Sequence, residues 1–323
     1  MTNRRSFLVT TAGLSCGWHL SRHVSAALQE LPAPVRLGLL ADVHHDIMHD
    51  GLERIRQFVE AMRVFQPHAV LQLGDFAYPK QQNLPAIELF NHSHTCALHV
   101  IGNHDTDSGH TKQQCLDMWG MPARYYQRDM QGISLLVLDG NDRGSPTHRG
   151  GYPAYIGPEQ SQWLEACLSS QPGPFLIVSH QPLAGAAAID NAGAIQKLLT
   201  RFRDKIILAI NGHSHLDSLV QIGGVSYLHI NSAAYYWVGD AHKHESYTSS
   251  IHAAHPWISR TCPYASALFA QMTLDPASSS IILQGRQSQW VGATPGELGL
   301  QPPAGLSLEQ EIAPRISDRR LRG

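Results

Sequence analysis

Paired cysteines are missing from this chain. Its five, Cys16, Cys96, Cys115, Cys167 and Cys262, include no CxxC spacing, which argues against a structural zinc ribbon. An excess of charge is missing too: 24 Lys and Arg face 26 Asp and Glu, for a formal net charge of −2 over 323 residues. That balance disfavours a nucleic-acid binder held by a basic surface. No internal repeat is visible, and no linker divides the chain into two domains. Beyond the N-terminus, no segment has the unbroken apolar length of a membrane span. What the chain does have is histidine, 20 in all, nearly as many as Lys and Arg together. Neutral imidazole is the commonest metal ligand, so this count points toward a metal site.

Residues 1–27 read as a targeting segment rather than as fold. Asn3-Arg4-Arg5-Ser6-Phe7-Leu8 resembles a twin-arginine export signal, a modest apolar stretch runs from Phe7 to Leu20, and Ser25-Ala26-Ala27 offers a cleavage site. The expected partner is the twin-arginine export machinery, and the expected location is periplasmic or extracellular. Export would permit disulfides among the four remaining cysteines, though their spacing names no pairs and buried free thiols fit equally. The main domain is expected over 28–295. The Pro- and Gly-rich tail, 296–323, reads as a surface extension.

From Val35 the pattern becomes α/β, with short apolar runs alternating with helical spacing. Gly51 to Phe65 carries Leu52, Ile55, Phe58, Val59 and Met62 on one side. Pro158 to Leu168 opens with proline, as helices often do. After Ile210 the chain turns to β, with Gly223-Gly224 as a hairpin turn. Residues 231–264 lack periodicity and are rich in Tyr, Trp and His. Irregular stretches of that length are usually functional or disordered.

The strongest signal is where polar residues fall. Val35 to Ala41 ends in Asp42-Val43-His44, and Ala69 to Leu73 in Gly74-Asp75. Ala97 to Ile101 ends in Gly102-Asn103-His104-Asp105. Phe175 to Ser179 ends in His180, and Ile206 to Asn211 in Gly212-His213-Ser214-His215. Open α/β sheets bind ligands beyond the carboxyl ends of their strands. Five apolar runs that each deliver a carboxylate, amide or imidazole there are hard to explain by packing. The mixed O/N donor set suits Mn²⁺, Fe or Zn²⁺ better than Ca²⁺. Two such cations would outweigh the Asp42 and Asp75 charges, suit a phosphate ester, and lower the pKa of bound water.

These five motifs, in this order, resemble the calcineurin-like metallophosphoesterases. The resemblance implies a four-layer α/β/β/α sandwich, two mixed β-sheets flanked by helices. It also implies that Asp42, His44 and His215 hold one metal, that Asn103, His180 and His213 hold a second, and that Asp75 bridges them. His104 would face the substrate as acid or anion stabiliser, with Asp105 holding it or capping the next helix. The implied activity is hydrolysis of a phosphodiester, pyrophosphate or phosphomonoester by a metal-bridging hydroxide. More loosely, Leu71-Gln72-Leu73-Gly74-Asp75 and Gly157-Pro158-Glu159-Gln160 with Trp163-Leu164 are similar to the manganese-dependent ADP-ribose/CDP-alcohol diphosphatases. Three alternatives stand beside this reading. Asp75-Phe76-Ala77-Tyr78 has the Asp-x-x-Tyr spacing of purple acid phosphatases, in which Tyr78 would bind Fe(III). A non-catalytic binding protein on the same fold is the second. The third, a redox dimetal protein, lacks the expected Glu-rich helices. Tyr235, Tyr236 and Trp237 are either packing residues or a substrate wall. Arg143, His148 and Arg149 could meet a second phosphate, or form a solvated loop.

Overall fold

The computed structural model describes residues 22–322. The twin-arginine motif and most of the expected signal segment lie outside the described residues. A first helix, α1 (Arg22–Gln29), crosses the expected cleavage point and buries Val24, Ala27 and Leu28.

The remaining elements alternate as the apolar runs suggest. They are β1 (Val35–Leu40), α2 (Gly51–Phe65), β2 (Ala69–Gln72), α3 (Leu84–Asn91), β3 (Ala97–His99) and α4 (Lys112–Trp119), then β4 (Tyr126–Met130), β5 (Ile133–Val137), α5 (Pro158–Ser170), β6 (Phe175–Ser179), α6 (Ala192–Arg201) and β7 (Ile206–Asn211). A β-rich half follows: β8 (Ser218–Ile222), β9 (Val225–His229), β10 (Tyr235–Trp237), a short α7 (Ser249–Ala254), β11 (Thr261–Pro263), β12 (Ala270–Asp275), β13 (Ser280–Gln284), β14 (Arg286–Gln287), β15 (Arg315–Ile316) and β16 (Arg319–Arg322).

Two six-stranded sheets result, in the orders β16-β13-β12-β1-β2-β3 and β4-β5-β6-β7-β9-β8. In the first, β1, β2 and β3 run parallel, and β12 closes on β1 antiparallel. In the second, β5, β6, β7 and β9 run parallel. Along β6, Phe175 and Ile177 join the core under α5 and α6, while Leu176 and Val178 join the larger core shared with the first sheet. Successive strand residues face opposite sides, so this strand is buried on both faces, as parallel strands usually are. On α2, Ile55, Phe58, Val59 and Met62 are buried, the one-sided stripe of a surface helix. The fold is therefore the four-layer sandwich expected from the motifs.

Three features differ from the sequence expectation. The tail is not a surface extension throughout: β16 pairs with β13 at the edge of the first sheet. Leu321 is buried there at 3% exposure, hidden in a run of arginines that reads as solvated. Buried Asp217 anchors the same segment, 2.6 Å from Arg319 and hydrogen-bonded to the Ser317 hydroxyl and backbone. Helix α4 was also unannounced, although Thr111 and Gln114 form a capping box, a pattern readable in sequence. Finally, residues 231–264 are not a loose loop. They carry the antiparallel β10–β11 ribbon. Cys96, Cys115, Cys167 and Cys262 are free thiols.

Candidate metal centre

Strands β1, β2, β3, β6 and β7 all end at one edge of the sandwich, and their following loops converge. The loops are tied before any side chain is considered. Asp42 N donates to Gly74 O at 3.1 Å, and His44 N to Asp75 O at 2.9 Å. The third loop is pinned by Asp105, whose carboxylate accepts from Gly102 N (2.7 Å), Asp75 N (2.9 Å) and Phe76 N (2.8 Å). Asp105 is 1% exposed and spends its oxygens on these backbone groups. The expectation that it assists catalysis beside His104 is therefore corrected: Asp105 builds the loops.

The sequence motifs are glycine-bearing for a steric reason. A Cβ at Gly102 would lie 2.1 Å from Asp75 Oδ1, and one at Gly212 would lie 2.6 Å from Asp42 Oδ2. Only glycine lets these backbones approach the carboxylates. The neighbouring residues are strained instead. Asp42, His44, Asp75, His213 and His215 all have φ between 47° and 65°, five of the ten non-glycine residues with positive φ among those described. Such conformations cost about 1–3 kcal/mol each and gather at functional sites.

This strain aims the side chains inward. Asp42, His44 and His215 form one group, and Asp75, His180 and His213 another; within each, the ligand atoms lie within 4.8 Å of one another. In the first group, His215 Nε2 is 3.3 Å from both Asp42 Oδ1 and His44 Nε2. In the second, His180 Nε2 is 3.2 Å from Asp75 Oδ2 and 3.2 Å from His213 Nδ1. Asn103 Oδ1 joins it, 3.1 Å from His180 Nε2. Asp75 Oδ2 also lies 3.7 Å from His44 Nε2, so one carboxylate oxygen faces both groups, while Oδ1 accepts from His104 N.

A donor set of this kind fits cations. His180 Nδ1 donates to Leu73 O at 2.8 Å and His215 Nδ1 to Tyr235 O at 2.7 Å. That fixes the tautomer of each ring and leaves Nε2 as a lone pair pointing inward. Lone pairs from imidazole, amide and carboxylate then meet at van der Waals distance, an arrangement that a shared cation relieves. The titration directions agree. Burial, reinforced by His215, His104 and His180, holds His44 well below the ordinary value despite Asp75. Burial and His180 drive His213 down to about 3. Burial opposes the charged form of His180, yet Asp75 outweighs it and raises it to about 9. Burial would raise Asp75, but His180, His104 and His44 hold it well below its usual range. Asp75 thus draws positive charge toward this place, a demand that a bound cation would satisfy.

Above these groups lies a cleft of about 320 Å³, lined in part by His104, Tyr152, Ser214, Tyr235, Tyr236 and Trp237. His104 stands over the floor, its ring 5.3 Å from that of His44. Burial works against its charged form, but Asp75 and Asp107 outweigh it and raise its pKa. The three aromatic residues singled out in sequence have different places. Tyr235 is 1% exposed, stacked on His44 at 4.9 Å, with its carbonyl on His215. It supports ligands more than it walls the cleft. Tyr236 is half-buried on the cleft wall, and Trp237 is exposed at the rim. Tyr78 packs against His110 at 5.5 Å and under the Lys80 ammonium at 5.3 Å. Burial and the carboxylates of Asp107 and Asp46 raise its pKa. His44 is the residue that converges with Asp42 and His215. Arg143 and His148 lie on an exposed loop, lining a separate depression of about 440 Å³; Arg149 is exposed on the same loop.

Several contributors were not foreseen. Ser232 Oγ donates to the Asp42 carbonyl at 2.8 Å, and Gln72 Oε1 accepts from Gly74 N at 2.6 Å. Asp107 and Tyr152 meet His104. The one available hint was Asp107, three residues after the motif histidine.

Two groups of buried, convergent donors at the strand ends of a two-sheet sandwich define a dimetal hydrolytic centre. The chain belongs to the calcineurin-like phosphoesterase family, whose model matches residues 35–217, and it is a metal-dependent phosphoester hydrolase. No curated protein sequence matches it. Among solved structures, it is similar to a dimetal phosphatase from Danio rerio, at 15% identity and TM-score 0.57, over 80% of this chain and 98% of that one. It is also similar to GAP50, described as the anchor in the inner membrane complex of Plasmodium, at 12% identity and TM-score 0.54, over 78% and 84% of the two chains. Such distant likenesses bear on the fold.

Proposed function

We propose that the centre hydrolyses phosphodiesters or diphosphates in which a substituent carries a ring. The observation that carries this reading is the distribution of exposed aromatic surface. Of the four large apolar side chains that are exposed among the described residues, Tyr152 (45%) and Trp237 (41%) line this cleft and Trp257 (52%) neighbours it. Trp257 is one ring away from Trp237, at 6.4 Å. Tyr152 adjoins His104, and Trp237 adjoins Tyr235 at 6.4 Å. The cleft thus offers two aromatic walls, which suits a phosphoryl group with two substituents. Apolar side chains grouped at a cleft mouth mark a binding surface.

Asp42, His44 and His215 would hold one divalent ion, and Asn103, His180 and His213 the other, with Asp75 shared. Ions there would supply Lewis acidity and an activated water. The chain's own residues supply the rest. His104 projects into the cleft from the Asn103 loop and donates a proton to the departing oxygen, and Trp237 and Tyr152 orient the substituents. Manganese, iron and zinc all suit the donor set. The test is turnover of bis-p-nitrophenyl phosphate against p-nitrophenyl phosphate by protein loaded with each metal. Turnover of the diester at the higher kcat/KM is expected. Faster cleavage of the monoester would overturn the two-wall reading, and no turnover of either with any metal would overturn the hydrolytic one.

We also propose export by the twin-arginine route, supported by Arg4-Arg5 and the apolar stretch behind it. Replacing both arginines by lysine keeps charge but loses the guanidinium pair, and should leave the protein in the cytoplasm. Unchanged export would show another route.

A further inference from the structure

The structure assigns Asp107 and Tyr152 as positioning residues that fix the tautomer and aim of His104, an inference that rests on His104 being the proton donor to the leaving group. His104 Nδ1 lies 2.7 Å from Asp107 Oδ2. An ionised carboxylate only accepts, so Nδ1 carries its proton toward Asp107 and Nε2 is left for the cleft. Tyr152 Oη lies 2.8 and 2.9 Å from the two Asp107 oxygens and 3.2 Å from His104 Nδ1. Its hydroxyl donates to the carboxylate and holds it against rotation. The Tyr152 ring packs on the His104 ring at 4.7 Å, so the imidazole is fixed by a contact and by a bond.

Both partners reach this position through irregular backbone. The turn that begins at His104 breaks at Asp107 (ψ 165°) and Ser108 (φ 58°), where the Asp107 carboxylate meets His104 Nδ1. Tyr152 follows Gly150 (φ 99°) and Gly151 (φ 80°), an arm that carries it across to the other loop. Neither residue is needed to hold a cation. Their polar atoms meet each other and His104 Nδ1.

The consequence is chemical. As the phosphorus–oxygen bond breaks, its electron pair goes to the leaving oxygen, and that oxygen takes the Nε2 proton. His104 is left neutral with its remaining proton on Nδ1, the tautomer that Asp107 selects. If Asp107 is lost, the ring can turn, and Nε2 no longer points at the leaving group.

The experiment uses the metal-loaded full chain and a series of methyl aryl phosphates whose phenols span weak to strong leaving groups. His104→Ala should steepen the dependence of kcat on leaving-group basicity. Asp107→Ala should steepen it too, slowing the poorest leaving group by about 10–100-fold, the range seen when an orienting partner of a functional histidine is lost. Tyr152→Phe, which keeps the ring packing, should give a smaller change in the same direction, with KM nearly unchanged. A second readout needs no turnover: ¹⁵N spectra of histidine-labelled, zinc-loaded protein should show His104 protonated on Nδ1, and lose that signature in Asp107→Ala. If His104→Ala steepens the dependence while Asp107→Ala changes neither slope nor tautomer, the positioning role is overturned and the proton-donor reading stands. If His104→Ala leaves the slope unchanged, the proton-donor reading itself fails, and the inference fails with it.

Discussion

Asp42, His44, Asp75, Asn103, His180 and His215 are buried at the floor of the cleft, whereas Trp237 and Trp257 stand at its rim with 41% and 52% of their surface exposed. The floor is held many times over. Its backbones are cross-bonded, its glycines admit carboxylates at contact distance, and its strained residues have φ values that packing enforces. The rim is held by few contacts. Trp257 meets Trp237 on one side and the Arg260 guanidinium at 4.2 Å on the other. The difference teaches that the chemistry is fixed by the sandwich itself, while the choice of substrate rests on side chains that can change without disturbing it. A substitution in the floor should therefore damage metal binding and rate together, and one in the rim should affect substrate affinity alone.

The largest effect is expected at Asp75. One of its oxygens faces both donor groups, so Asp75→Asn should lower the occupancy of both metals. Activity should fall by well over 100-fold, beyond the roughly 10–100-fold loss that follows removal of an orienting partner. Elemental analysis beside kinetics decides the matter: loss of only one metal, matching that in Asn103→Ala, would contradict the sharing.

Each donor group also draws from both sheets, since Asp42 with His44 and Asp75 follow the first sheet, and His215, His180 and His213 the second. Bound cations would therefore clamp the layers together at one edge. Removing them by chelation should abolish activity and leave the large core folded. A cation present at about 100 times its Kd contributes roughly 2.7 kcal/mol, so melting should come several degrees earlier after chelation. An unchanged Tm would show that the ions do not couple the sheets.

The floor also rests on a buried histidine. His99 donates from Nε2 to Asn91 Oδ1 at 2.6 Å, and its Nδ1 meets the Gln72 amide at 3.1 Å; that glutamine supports the turn at Gly74. Burial drives His99 down to about 3 from 6.5. At pH 7 the ring is neutral in both folded and unfolded chains, and no penalty arises. Below about 6.5 the unfolded chain takes up a proton that the folded one refuses, so stability falls by up to about 1.4 kcal/mol per pH unit, until the folded group titrates. Denaturant melts from pH 7 to 4 should show this contribution beside those of the other buried histidines, and His99→Gln should make the slope shallower. An equal slope in the variant would assign the acid sensitivity elsewhere.

The same contrast explains what could be read from the sequence. The floor was legible because each ligand follows directly on an apolar strand run, so local pattern and tertiary position coincide. The sheets were legible for the same reason. Asp105 was misjudged because adjacency to His104 says nothing about direction: its side chain turns back to Gly102, Asp75 and Phe76. Tyr235 read equally as packing or as a wall, because its place against His44 depends on the β10–β11 ribbon, which has no periodic signal. Tyr152 is 45 residues from Asp107, and no local rule brings them together. β16 was concealed because an edge strand needs only one buried residue, Leu321, among arginines.

The smallest expected effects belong to the rim, and they test the comparison most sharply. Trp237 is exposed, and it is separated from the floor by Tyr235, so Trp237→Ala should leave metal content and melting temperature unchanged. What it should lose is stacking against the substrate's ring. Such aromatic pairs contribute about 0.5–1.5 kcal/mol beyond buried area, which corresponds to a rise in KM of roughly 2- to 12-fold at constant kcat. A substrate without a ring, such as a dialkyl phosphate, should feel nothing. Trp257 stands one ring further out with Arg260 already on its face, so Trp257→Ala should give a weaker change of the same kind. The guanidinium there also disfavours a cationic head group as the stacked partner, since two cations would share one ring. A choline-bearing diester should therefore gain no affinity from the pair. If Trp237→Ala lowers kcat equally on ringed and ringless substrates, the residue is part of the floor's support, and the division between a fixed centre and a replaceable rim does not hold.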